Sequence, residues 1–179
     1  MSLNEINIIP DAIENLTALQ SLLIDGNFFL TPDKKIKILP ESLCALTSLT
    51  TLSLKDHAIE QLPSCIGSLT VLQHLYLRDN LLSTLPSSFA QLKNLKTLDL
   101  KANELIELPL GFEKLSSLAE LNLSMNPKLK FDVAKTIFLS MKHLSLLDLS
   151  YNNISLEQIT PLRIALPDCK VLNWSYKKK

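Results

Sequence analysis

Leucine and isoleucine recur along this chain in a fixed order. From Leu46 it reads LTSLTTLSLKDHAIEQLPSCIGS, from Leu69 LTVLQHLYLRDNLLSTLPSSFAQ, and from Leu92 LKNLKTLDLKANELIELPLGFEK, a period of 23 residues. Within each period the alternation seen in Leu98-Asp99-Leu100 predicts a short strand with one buried face. A column of Asn or a substitute ends each strand: Asn27, His57, Asn80, Asn103, Asn126 and Asn152. An amide both donates and accepts, so it suits backbone groups left exposed by neighbouring turns. A Leu-Pro pair closes the turn at Pro40, Pro63, Pro86 and Pro109, with Ile9-Pro10 as an altered first copy. Proline fixes φ at the entry of a short helical or extended return whose apolar residue, such as Phe112, points inward.

One such coil cannot bury its own leucines, but stacked coils bury each other's. The pattern therefore predicts parallel strands centred near residues 23, 53, 76, 99, 122, 148 and 173, lining a concave face. Over residues 4–176 these repeats resemble the leucine-rich-repeat family, in its LP-containing 23-residue variety. Intracellular Ras-interacting scaffolds and bacterial repeat proteins, including secreted effectors, share that variety. The resemblance implies an α/β solenoid: a curved right-handed coil, parallel sheet inside, short helical, 3-10 or extended segments on the convex side. It also implies a non-enzymatic scaffold or inhibitor that grips a protein partner, with a bacterial effector as one form. The alternative is the substrate-recognition part of a larger enzyme, such as an effector ubiquitin ligase.

Departures from the repeat divide the single domain, 1–179, into an incomplete first repeat and strand (1–26), central repeats (27–152) and a C-terminal cap (153–179). Asn27 to His57 spans seven extra residues, an insertion placed at 28–37. Phe29 is expected to fill the column of Leu105, whereas Phe28 and Leu30 have no repeat position and either contact a partner or cover the first coil. The return at Asp132–Met141 reads as a helix with Asp132 as N-cap. Ser155 and Gln158 fit a capping box, and Thr160-Pro161 reads as an N-cap followed by Pro. The last strand, Val171 to Trp174, puts the sole Trp in a leucine column.

Charge and composition narrow the function. Eighteen Lys and Arg balance eighteen Asp and Glu, which leaves no basic footprint for nucleic acid or an anionic membrane. No leader-like segment opens the chain and no apolar run approaches a membrane span. Cys44, Cys65 and Cys169 show neither framework nor zinc spacing, so reduced thiols in a cytosol are expected, with delivery to a host cytosol if the protein is an effector. Four glycan-acceptor patterns, two of them on expected strands, fit the same cytoplasmic location. A monomer without cofactor or metal is expected. Three glycines in all leave no phosphate-cradling loop. His57 should replace the Asn amide with a ring N–H, His143 should lie at the surface, and Cys169 should be buried and inert.

The positions facing out of the strands carry the binding expectation. The fifth position of each coil reads Leu23, Ser53, Tyr76, Asp99, Asn122, Asp148, Asn173; the seventh reads Asp25, Lys55, Arg78, Lys101, Ser124, Ser150, Ser175. The eighth, at the strand exit, reads Gly26, Asp56, Asp79, Ala102, Met125, Tyr151, Tyr176. Neighbours in a row sit ~4.8 Å apart. Lys55, Arg78 and Lys101 thus form a basic row beside His74, Tyr76 and Asp99, and an acidic partner patch would relieve its self-repulsion. Met125, Tyr151 and Tyr176 form an apolar rim, and Asn122 and Asp148 complete the expected contact set.

Overall fold

The computed structural model describes residues 6–27 and 31–175. Its seven strands are β1 (Ser21–Leu23), β2 (Thr51–Ser53), β3 (His74–Tyr76), β4 (Thr97–Asp99), β5 (Glu120–Asn122), β6 (Leu146–Asp148) and β7 (Lys170–Leu172). They form one parallel sheet in sequence order, each centred one or two residues before its expected position. Leu52, Leu75, Leu98, Leu121 and Leu147 are paired strand to strand, all at 0–1% exposure. A fully buried leucine contributes about 1.5–3 kcal/mol, and here each is buried only because the next coil is present.

The returns follow the prolines. Pro10, Pro40 and Pro86 precede 3-10 turns at Asp11–Asn15, Glu41–Ala45 and Ser87–Gln91, with φ between −66° and −73°. Behind them Phe89 and Phe112 stack at 6.2 Å, fully buried. Two returns lengthen into α1 (Phe131–Phe138) and α2 (Leu156–Ala165). No helix among the described residues is long and apolar enough to cross a membrane.

The asparagine column is a hydrogen-bonded spine. Asn80 Oδ1 accepts from Ile59 N, while its Nδ2 donates to Leu54 O and Leu77 O. Asn103 and Asn126 repeat the arrangement one and two coils on. His57 takes the same place: Nε2 donates to Ile24 O at 2.7 Å, and Nδ1 accepts from Ile36 N at 3.3 Å. Only the neutral ring does both, and burial holds its pKa below the usual 6.5. Just before His57, Asn80, Asn103, Asn126 and Asn152, residues Asp56, Asp79, Ala102, Met125 and Tyr151 adopt φ of 51–62°, the left-handed turn that follows β2 to β6.

Several expectations need correction. Ile36, at 0% exposure, fills the column assigned to Phe29, because it leads back into Leu39-Pro40 with the ordinary repeat spacing. The extra residues therefore end at 34, not 37, and Phe28, Phe29 and Leu30 lie outside the described residues. Lys130, not Asp132, occupies the N-cap position of α1; Asp132 sits inside the first turn, where its charge suits the helix dipole. The capping box at Ser155 and Gln158 is present, so α2 starts there and runs through Thr160 and Pro161. Thr160 Oγ1 donates to Leu156 O within the helix.

The last coil is one residue out of the expected register. Val171 pairs with Leu147 and is buried, which turns Leu172 outward beside Asp148. Leu172 therefore takes the fifth position and Trp174 the seventh, in place of Asn173 and Ser175; Ser175 moves to the eighth and Tyr176 is outside the described residues. A slip of one residue reverses every side chain. Trp174 is accordingly not in a leucine column but outward and 65% exposed.

The cysteine expectation fails as well: Cys44 and Cys65 form a disulfide, and Cys169 alone is free and buried. Their separation of 21 is nearly one repeat, so the two lie on adjacent returns with Cα atoms 6.0 Å apart. The spacing needed to be read against the period.

Candidate functional site

The outward sheet face is built from residues whose chain neighbours are locked in the core. Thr51, His74, Thr97, Glu120, Leu146 and Lys170 form one column across the strands; Ser53, Tyr76, Asp99, Asn122, Asp148 and Leu172 form the next. All ten expected contact residues therefore fall along one face and its exit rim. They do not behave alike.

At the N-terminal end the charged side chains pair with one another, although Arg78 Nε is shielded and makes no hydrogen bond among the described residues. Lys55 Nζ lies 2.9 Å from Asp25 and 5.8 Å above the Tyr76 ring. Asp25 Oδ1 also accepts from Ser53 Oγ and Lys55 N. Burial pushes the Asp25 carboxyl up, but these bonds outweigh it and hold the pKa below the usual carboxylate value. Arg78 lies 3.9 Å from Asp56 and 3.6 Å from Asp79. Burial and the Asp79 charge raise the Asp56 carboxyl, with Arg78 opposing. His74 stacks on Tyr76 at 6.4 Å, its Nδ1 shielded and without a hydrogen-bond partner among the described residues.

These contacts remove two grounds of the sequence reading. The basic row is not three bare cations, because Lys55 and Arg78 each face acids. The Tyr76 ring is not fully open either: it is half-buried, with Lys55 over one face and the His74 ring beside it.

The C-terminal end differs. Asp99 Oδ1 accepts from Lys101 N, Asp148 Oδ1 from Ser150 N, and Asn122 Oδ1 from both Ser124 N and Oγ. Each thereby fixes its own side chain, but no Lys or Arg nitrogen among the described residues makes an ion pair with Asp99, Glu120 or Asp148. Burial raises the Asp99 carboxyl pKa despite the Lys101 N–H and the charges of Arg78 and Lys101. Met125 and Tyr151 line a shallow depression at the rim with Ala102, Glu104 and Pro127. The main chain of Trp174 is tied to this end, donating to Ser150 Oγ and accepting from Tyr151 N. Sequence reasoning missed Trp174 as an outward residue. The alternation Cys169-Lys170-Val171 was the available signal, since it points Cys169 and Val171 to one side and Lys170 to the other.

Among the described residues, one grouping has metal-ligand chemistry: the Glu41 carboxylate with the sulfurs of Cys44 and Cys65, mutually within 4.8 Å. The sulfurs are joined to each other and offer no thiolate, which is the form that binds metal. His143, exposed, bonds Leu115 O through Nε2 and is remote from this grouping in sequence.

Residues 41–166, more than half of the chain, match the family model described as a leucine-rich repeat region. The chain is similar to a solved LRR protein of Leptospira interrogans, with 32% identity and a TM-score of 0.79 over 92% of this chain and 40% of that one. It is similar to the functional domain of InlJ from Listeria monocytogenes, which includes a cysteine ladder, at 27% identity and TM-score 0.66, covering 93% and 33% of the two chains. The PEPR1–AtPEP1 structure gives 26% identity and TM-score 0.61, covering 79% and 19%. This chain thus spans less than half the length of each. No match is found among curated proteins.

Proposed function

This chain belongs to the leucine-rich-repeat family, a fold that generally mediates protein–protein interaction, and we propose that its outward sheet face is a scaffold or inhibitor surface gripping one protein partner. One observation carries the reading: seven hydrogen-bonded strands hold a continuous row of outward side chains while the alternate leucines are fixed in the core. Such a surface is ordered before it binds, so little entropy opposes association. Among the similar structures, PEPR1 was solved with AtPEP1. The proposed contact set is Lys55, His74, Tyr76, Arg78, Asp99, Lys101, Asn122, Met125, Asp148 and Tyr151, with Trp174 added. An acidic partner patch was expected from repulsion along the basic row; the Asp25, Asp56 and Asp79 contacts supply that relief internally.

The Cys44–Cys65 disulfide weighs against the expected cytoplasmic location and supports work in an oxidising compartment. That use of cysteine is in keeping with the cysteine ladder of the Listeria domain.

The test compares faces. Affinity for a partner identified by pull-down is measured for the wild type, for Tyr76→Ala/Arg78→Glu, for Asp148→Asn/Trp174→Ala, and for the convex control Glu113→Arg. At least one outward pair should weaken binding by more than ~1 kcal/mol, the usual hot-spot threshold, with the control unchanged. Loss confined to Glu113→Arg moves the site off the sheet.

A further inference from the structure

The unpaired acids and the exposed Trp174 at the C-terminal end of the sheet face indicate what it binds. We propose that the face from β4 to β7 docks an extended, arginine-bearing segment of a partner protein, whose guanidinium groups pair with Asp99, Glu120 and Asp148 and stack on Trp174. This rests on the sheet-face reading above and narrows it to one end and one partner chemistry.

Three features converge on that segment. First, Asp99, Asn122 and Asp148 occupy one column on successive strands, so the two carboxylates flank the amide at steps of ~4.8 Å. Glu120 stands on the same face of β5, two residues before Asn122, and is exposed. Secondly, one oxygen of Asp99 and one of Asp148 accept backbone N–H groups, which aims each carboxylate and leaves its second oxygen available. Lys101 and Lys170 are the cations on this stretch, and neither forms an ion pair with the three acids. Burial raises the Asp99 pKa, and the charges of Arg78 and Lys101 oppose that rise without reversing it.

Thirdly, an indole 65% exposed lies on the coil next to Asp148, with Leu146 and Leu172 half-buried on the same face. Large aromatic side chains held open on a rigid surface are characteristic interface anchors. Arginine answers both features. Its planar fork accepts bidentate pairing with a carboxylate and its face stacks on an aromatic ring, whereas lysine offers a point charge. An acidic or purely apolar segment would leave the carboxylates desolvated and unpaired, which opposes binding.

The test uses the oxidised full chain as bait for a displayed library of random linear peptides, followed by affinity measurement on the most enriched synthetic peptide. Arginine should be enriched over its library frequency. Glu120→Gln/Asp148→Asn and Trp174→Ala should each weaken the peptide by about tenfold, equivalent to about 1.4 kcal/mol, and raised salt should weaken it further. The Asp148→Asn change keeps an acceptor for Ser150 N, as Asn122 does for Ser124 N, and melting curves of both variants verify folding. No enriched peptide, enrichment without arginine, or binding by both variants within about twofold of wild type overturns the proposal. If Arg78→Glu abolishes binding while these variants do not, the sheet face stands and this proposal alone fails. Loss only on Glu113→Arg removes both.

Discussion

The two ends of the sheet face share a backbone and differ in how their side chains are spent. From β2 to β3, Lys55 is held by Asp25 and lies over Tyr76, which His74 also stacks, and Arg78 sits between Asp56 and Asp79. From β4 to β7, Asp99, Glu120 and Asp148 lack ion pairs among the described residues and Trp174 stands open. A charged residue therefore says little about recognition until its neighbours are known. Exposed pairs already made contribute ~0–1 kcal/mol to stability and have no strong call on a partner. Charges fixed but unpaired do. The contrast also places the cross-link. The disulfide staples the returns that precede β2 and β3, behind the ion-paired end, while the open end depends on stacking alone.

The largest effect should come from β4, where the two ends meet. Leu98 is fully buried between Leu75 and Leu121. Leu98→Asp puts an unpaired charge there and should cost several kcal/mol, against ~5–15 kcal/mol for a whole domain. Thermal melting and circular dichroism of this variant should show loss of both ends together. A Tm within a degree or two of wild type would mean that the column does not face the core.

Next in size is the disulfide. Cys44→Ser/Cys65→Ser opens a loop with a sequence separation of 21, for which chain entropy gives about 3 kcal/mol. The loss should fall on the N-terminal coils, so hydrogen exchange should quicken around β2 and β3 more than around β5 and β6. Equal quickening throughout would deny that the two ends are separately supported. In the native wild type, thiol titration should detect Cys169 only after unfolding, since it is buried and burial raises its pKa.

The smallest effect is a pH dependence belonging to the N-terminal end. Burial lowers the pKa of His57 from its ordinary 6.5, with the Ile24 carbonyl bond partly opposing. The folded chain thus resists a proton that the unfolded chain accepts. His57's contribution is complete above about pH 6.5 and is drawn down as the pH falls below it. His57→Asn restores the amide used at Asn80 and Asn103 and should flatten that part of the profile. Denaturant unfolding of both proteins between neutral and mildly acid pH measures it. An unchanged slope would show that the ring does not titrate differently on folding.

Most of the scaffold was determined by the sequence alone, because a repeat constrains each position many times over. The leucine columns, the parallel order, the asparagine spine and the stand-in role of His57 all follow from local periodicity and the hydrogen-bonding capacity of one side chain. The capping box at Ser155 and Gln158 was equally local. Where the repeat breaks, that redundancy is gone. Ile36 rather than Phe29 resumes the column, and β7 slips by one residue to turn Trp174 outward. Both were decided by which apolar residue reached the core after an irregular connection. The disulfide and the pairing of the basic row depend on contacts between coils, across 21 to 30 residues of sequence. Periodicity states that such residues are neighbours in the stack. Only the tertiary structure, through the distance and direction of each side chain, decides which of them spend their charge or sulfur on one another and which are left for a partner.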